Sequence, residues 1–404
     1  GLALFTTQRP LKTAMAAGGS KARLVLHFDV NETIMIGDPV AGLDFAESLN
    51  NVIAKAAFVK RVGDEYTWHD GSPLDPASRG PDDPPPALLM DFSPPDGCER
   101  YFEVFRRSTH WPARRFTEPG QPGEVYKSLK DELRRHLEWP HEANSELAKE
   151  GNHFLLPAFS HTICELARQG RDFSVVLRTF GTDLPEVARC LSAFAGGLHP
   201  DFPVGDDRSA SVQSFGMGPA DARWCLRRSD REEIQSAMSL CRYEVDLGKE
   251  GFGQDLAAAC PHVAVEEFAD ESAIVDFLAM RPATGIRDDY HFWRGHGYLP
   301  QAGKPLWVTV DDPSVHHIFF DDNIHNKAND SIVAVRARCV AGEAFRSVSG
   351  EATRELEGVF TVKAQPVDAI RNKDYFLQHI DRCEANVSKL RADGTLRELL
   401  SASI

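Results

Sequence analysis

Asp29 closes the apolar run Leu24-Val25-Leu26-His27-Phe28 and is followed by Val30-Asn31-Glu32-Thr33. A short β-like run that ends in a carboxylate places a nucleophile-grade group at the C-terminal edge of a strand. Reaction sites of open α/β sheets lie at that edge. A second apolar run, His317-Ile318-Phe319-Phe320, ends in the pair Asp321-Asp322. Adjacent carboxylates repel, so one of them is forced towards its protonated form unless a cation neutralises the pair. Oxygen ligands on a rigid strand edge suit Mg²⁺.

Two further groups fit the same chemistry. The strand-like segment Phe173 to Leu177 runs into Arg178-Thr179, so a hydroxyl residue closes that strand. Thr182 is the expected cap of a helix beginning near Asp183-Leu184-Pro185, which leaves Thr179 for chemistry. Lys304, in Gly303-Lys304-Pro305, precedes Asp321 and offers a positive charge.

Asp29-Val30-Asn31-Glu32-Thr33 resembles the first motif of the haloacid dehalogenase (HAD) superfamily, Asp-x-Asp-x-Thr after a hydrophobic strand. Thr179, Lys304 and Asp321-Asp322 follow in the order of that superfamily's remaining motifs. The resemblance implies a HAD-like (Rossmannoid) α/β fold, a parallel sheet with helices on both faces and cap insertions. It implies Asp29 as nucleophile, Thr179 and Lys304 as phosphoryl-binding groups, and Mg²⁺ held by Asp29, the Asn31 main chain and Asp321 or Asp322. A small phosphorylated substrate would be hydrolysed through an aspartyl-phosphate.

Asn31 departs from the pattern. The family's phosphatases carry there a second Asp that protonates the leaving group, and an amide cannot shuttle a proton. Such help is worth about 10² to 10⁴ in rate. Three readings follow: a phosphohydrolase that uses another acid such as Glu32 or a cap histidine, or acts on good leaving groups; a metal-independent haloacid-dehalogenase-like hydrolase; or a catalytically weak HAD-fold protein that binds a phosphorylated ligand or a partner.

Other motifs fail. Gly251-Phe252-Gly253 lacks a third glycine, Pro305 stands where a P-loop needs Ser or Thr, and neither His-Glu-x-x-His nor Gly-x-Ser-x-Gly occurs. With 404 residues and a net charge of −15, the chain has no basic character for nucleic acid or anionic membranes. Locally basic pairs, Arg106-Arg107, Arg114-Arg115 and Arg227-Arg228, are the candidates for an anion-binding patch. The eight cysteines are scattered without Cys-x-x-Cys, the pattern of a reducing compartment. The first 28 residues carry no acid but include Arg9, Lys12, Lys21 and Arg23, as in a transit-peptide remnant, so a cytoplasmic or organellar location is expected.

These groups need elements to hold them. Helical spacing covers Leu43 to Val62, residues 122 to 140 (centred on Ser128 to Leu133), Pro157 to Gly170, Pro185 to Ala195, Arg231 to Cys241, Glu271 to Met280 and Asn372 to Leu390. Ile332 to Val335, Val359 to Val362 and His262 to Val265 read as strands. The Pro-rich stretch from His69 to Gly97 excludes a regular helix. The segments 22–60, 155–200 and 300–404 are therefore expected to form the core, 61–154 and 201–299 to be insertions, and 1–21 to be a leader. Arg287 to Trp293, charged and aromatic, is the expected substrate-facing rim.

Overall fold

The computed structural model describes residues 21–37, 42–80, 82–89, 95–203, 209–243, 264–324 and 331–403. The expected leader lies outside them, as does the start of the expected strand at His262. The chain is mixed α/β. Its centre is an eight-stranded sheet of β1 (Arg23–Asp29), β2 (Phe173–Thr179), β3 (Trp224–Arg228), β4 (Met238–Arg242), β5 (Glu266–Phe268), β6 (Ala283–Arg287), β7 (Val315–Asp321) and β8 (Thr361–Lys363). The strand order is β5-β4-β3-β6-β2-β1-β7-β8. The strands from β3 to β8 in that order pair in parallel, and β4 and β5 close one edge antiparallel.

β1 sits between β2 and β7, with Phe28 level with Leu177 on one side and Phe320 on the other. The chain leaves β1 towards β2 and β6, and returns on the far side as β7. That reversal opens a crevice at the carboxyl ends of β1 and β7.

Alternation along β1 divides the interior. Leu24, Leu26 and Phe28 join the core formed with the helices Pro157–Arg168, Leu184–Ala195 and Tyr375–Ala392. Val25 points the other way, into a cluster with Ile274, Leu278 and Trp307. That second face is covered by the helix Glu271–Met280 and by a three-stranded sheet of Lys304–Thr309, Val333–Arg338 and Arg346–Ser347. Being covered on both faces is why these strands read as continuous apolar runs.

Several expectations are corrected. The first helix is Phe45–Ala56, and Phe58–Val62 is instead a strand paired with Glu65–Trp68 and Cys98–Arg100. The β-branched and aromatic residues of Phe58-Val59 outweigh the helical spacing there. Arg231 to Cys241 is not a helix: it leads into strand β4. Lys304 is the first residue of the strand Lys304–Thr309. Residues 201–299, read as an insertion, supply β3 to β6 of the central sheet. Asp183, not Thr182, is the cap position of the helix Leu184–Ala195.

Candidate active site

Asp29, Thr179 and Asp321 are the last residues of the adjacent strands β1, β2 and β7, so sheet geometry alone gathers them at one edge. Lys304 arrives from the second face. Gly303 lies so close to the Ile332 carbonyl that a Cβ there would be 2.1 Å from the oxygen, which lets the Lys304 amide bond that carbonyl at 2.7 Å. The buried Lys304 side chain donates to Asp29 and, at 2.8 Å, to Asp321 Oδ2.

Arg178 fixes that approach, although sequence reading passed over it. It is fully buried on β2, bonds Asp288 through two guanidinium nitrogens, and donates from Nη1 to the Pro305 carbonyl at 3.0 Å. It thereby ties the strand carrying Lys304 to the central sheet. The same nitrogen meets His27 Nδ1 at 3.1 Å, and His27 Nε2 lies 3.0 Å from His317 Nδ1. Because a guanidinium only donates, His27 accepts at Nδ1 and carries its proton on Nε2. Burial, followed by the charge of Arg178, holds His27 well below its ordinary value. Burial likewise pushes His317 down to about 3. Both rings are neutral at pH 7.

A second ammonium stands at the cavity. Lys55, near the end of the first helix, binds Glu32 and, at 2.8 Å, Asp322 Oδ2. Glu32 holds φ 56°, a left-handed conformation rare for a side-chain-bearing residue, which costs on the order of 1–3 kcal/mol. The Glu32 amide donates to the Met35 carbonyl at 2.8 Å and its carboxylate is gripped by Lys55, so the turn after Asp29 is held from both ends. Neither Glu32's strain nor Lys55's reach is visible in a linear pattern, although Glu32 was among the expected acids.

The charges do not balance evenly. Asp29, Asp321 and Asp322 offer carboxylate oxygens that all lie within 4.8 Å of one another, and all three residues are buried. Burial raises the Asp29 carboxyl well above its ordinary value. Lys304 pulls it back only in part, because Asp321 and Asp322 push in the same direction as burial. Asp321 is raised for the same reason. One ammonium shared by two carboxylates cannot satisfy both, so the excess belongs to the pair. Burial opposes charge on Lys304 and Lys55, but their acidic partners outweigh it and hold both above the ordinary lysine range. An all-oxygen acid cluster with negative charge to spare fits Mg²⁺ better than a softer ion.

Thr179 Oγ accepts from the Gly181 amide at 2.8 Å, which leaves its own proton to donate. Asn31 Nδ2 donates to Asp183 at 2.9 Å. Its buried Oδ1 has no hydrogen-bond partner among the described residues, an orphaned acceptor at the cavity wall.

These residues face one cavity of about 440 Å³, lined by Asp29, Asn31, Glu32, Lys55, Thr179, Lys304 and Asp322. Its outer wall carries Arg106, Arg107 and Arg114 from the first expected insertion, and Tyr290 from the expected aromatic rim. Arg106 and Arg114 make only loose contacts, each 3.9 Å from a glutamate. Of the remaining arginines of those pairs, Arg115 is ion-paired with Glu118, and Arg228 is buried over the Phe292 ring. Asp29, Asn31, Thr179, Lys304 and Asp322 thus line one space, and Asp321 lies beneath it, bonded to Lys304.

No helix among the described residues is long and apolar enough to cross a membrane. Comparison with known proteins matched no family model, no curated protein and no solved structure.

Proposed function

We propose that this chain is a Mg²⁺-dependent phosphohydrolase of the HAD type, acting on a small phosphorylated metabolite through an aspartyl-phosphate on Asp29. The observation that carries the reading is the convergence of Asp29, Thr179, Lys304 and the Asp321-Asp322 pair, from four separate segments, at one sheet edge. Asp29, Asp321, Asp322 and the Asn31 main-chain carbonyl would hold Mg²⁺. Bound there, the ion supplies charge that offsets repulsion between an anionic nucleophile and an anionic ester.

Asp29 attacks phosphorus as the ester oxygen departs, and one difficult displacement becomes two easier ones. Thr179 and Lys304 donate to the transferring oxygens, an electrostatic contribution of about 2.7–4 kcal/mol per donor in comparable sites. With Asn31 unable to give a proton, departure falls to the leaving group itself. Among the described residues no histidine lines the cavity, but Glu32 does. Ion-paired with Lys55, Glu32 is better placed to accept a proton than to deliver one. Its role is to take the proton of the water that hydrolyses the aspartyl-phosphate. The arginines of the outer wall favour a substrate with anionic character beyond the phosphoryl group.

Asn31 also supports a second reading, a HAD-fold protein that holds a phosphorylated ligand with little turnover. A dehalogenase reading is weaker, because it has no use for the acid cluster. Hydrolysis of an aryl phosphate with and without Mg²⁺, by wild type and Asp29→Asn, decides among them. Turnover that needs Mg²⁺ and is lost in the variant supports the proposal. Metal-independent halide release would favour the dehalogenase, and phosphate-ester binding without turnover the ligand-holding protein.

A further inference from the structure

Outside the cavity, three histidines and a carboxylate from separate segments meet beside Trp139. His141 follows the helix Lys127–Leu137, His153 ends the short strand Asn152–His153, and His199 and Asp201 lie beyond the helix Leu184–Ala195. Ligand atoms of His153, His199 and Asp201 all lie within 4.8 Å of one another. His141 Nε2 reaches the Asp201 carboxylate at 2.8 Å. The Asp201 amide contacts His199 Nδ1 at 3.3 Å, which ties the carboxylate's main chain to that ring.

Ring positions decide whether one ion can be shared. The His153 and His199 centroids are 5.6 Å apart, with planes 8° from parallel. Two imidazoles on one tetrahedral ion, each nitrogen about 2.1 Å away, place their centroids roughly 5 Å apart. The spacing suits a shared ion, but the rings are stacked, so ligation needs one of them to turn until both lone pairs converge. His153 Nδ1 is buried and has no hydrogen-bond partner among the described residues, so it presents a lone pair or a proton to nothing. Trp139 packs edge-on against His141, His153 and His199 at 5.0, 5.0 and 5.2 Å, an apolar wall that restrains all three rings.

We propose that His153, His199 and Asp201 form the core of a structural Zn²⁺ site, which His141, now hydrogen-bonded to Asp201, completes on metal binding. Three imidazoles and one carboxylate suit zinc and not Mg²⁺, and four protein ligands close the coordination shell against catalysis. The half-exposed Asp201 side chain gives the ion a way in. The site would clamp the segment running from Lys127 to His153 onto the end of the core helix Leu184–Ala195, joining parts of the chain that share no strand pairing. It is independent of the Asp29 cluster and stands or falls apart from the phosphohydrolase reading.

The test is metal content of the full chain, loaded with Zn²⁺ and dialysed against metal-free buffer. Wild type and Asp29→Asn are expected to keep about one zinc per chain, and His153→Ala/His199→Ala to keep almost none. Co²⁺ in place of zinc should give the intense visible bands of four-coordinate cobalt in wild type. His141→Gln, a milder change, should weaken retention while the far-ultraviolet circular dichroism stays unchanged. If the double variant does not fold, the wild-type cobalt spectrum and His141→Gln decide the matter. A wild type that retains no zinc, zinc kept undiminished by the double variant, or the weak spectrum of six-coordinate cobalt would each overturn the site.

Discussion

Replacing Lys304 with Met keeps the length of the side chain and removes the one ammonium shared by Asp29 and Asp321. Lys304 is 1 % exposed, so water cannot take its place cheaply. Breaking a buried ion pair by deleting one partner costs about 3–5 kcal/mol, because the other charge is stranded. Here two carboxylates are stranded, although Asp321 retains the Asn323 amide at 2.9 Å. The expected destabilisation of Lys304→Met at pH 7.5 is therefore about 3–5 kcal/mol. Its pH dependence follows from the shifts. Asp29 and Asp321 are raised above their ordinary values in the folded chain, so over the interval between unfolded and folded values the native state binds more protons. Stability from these groups is full below the unfolded value and falls as pH rises through the folded one. Losing Lys304 raises both carboxyls further and widens that interval upward. Urea unfolding of wild type, Lys304→Met and Lys304→Met/Asp29→Asn, from pH 5 to pH 8, measures the effect. The gap between wild type and Lys304→Met should shrink towards pH 5. The double variant, with one stranded carboxylate removed, should recover at least about 1 kcal/mol at pH 7.5. A gap that does not change with pH, or a single variant as stable as wild type at pH 7.5, would refute this electrostatic account.

Two further outcomes follow from the cavity. Glu32→Gln should lower steady-state phosphate release by about 10² to 10⁴ while leaving the first burst of aryl alcohol intact, because only the water step needs a base; stopped-flow kinetics reads both, and an equal loss in burst and steady state would remove Glu32 from that role. Arg107→Ala/Arg114→Ala should raise KM about tenfold for a substrate carrying a second anionic group, with kcat nearly unchanged, since these exposed charges bind the ground state and the transition state alike; an unchanged KM would exclude the outer wall from substrate binding.

Local sequence revealed what the site's own strands dictate. An apolar run closed by an acid marks a buried parallel strand and its carboxyl end at once, which is why Asp29, Asp321 and Asp322 could be picked out, and a hydroxyl closing a third such run singled out Thr179. Groups that act through tertiary reach were harder to find. Lys55 reads as an ordinary lysine in an amphipathic helix, and only folding brings it 2.8 Å from Asp322, 267 residues away. Arg178 interrupts an apolar run in a way that reads as a strand end, whereas it is buried and paired with Asp288. β3 and β6 went unread because Trp224 to Arg228 and Ala283 to Arg287 mix glycine, cysteine and arginine, so neither alternation nor a clean apolar run survives. The arginine pairs were visible in sequence, but which of them faced the cavity depended on how the first insertion folded.

The central claim is that Asp29 carries the phosphoryl group. Acid-quenched wild type, mixed rapidly with an aryl phosphate and Mg²⁺, should show by intact mass one added phosphoryl group that hydroxylamine removes. Peptide mapping should place it on Asp29, and Asp29→Asn should acquire none. Turnover with no such adduct, or an adduct that persists in Asp29→Asn, would contradict the account.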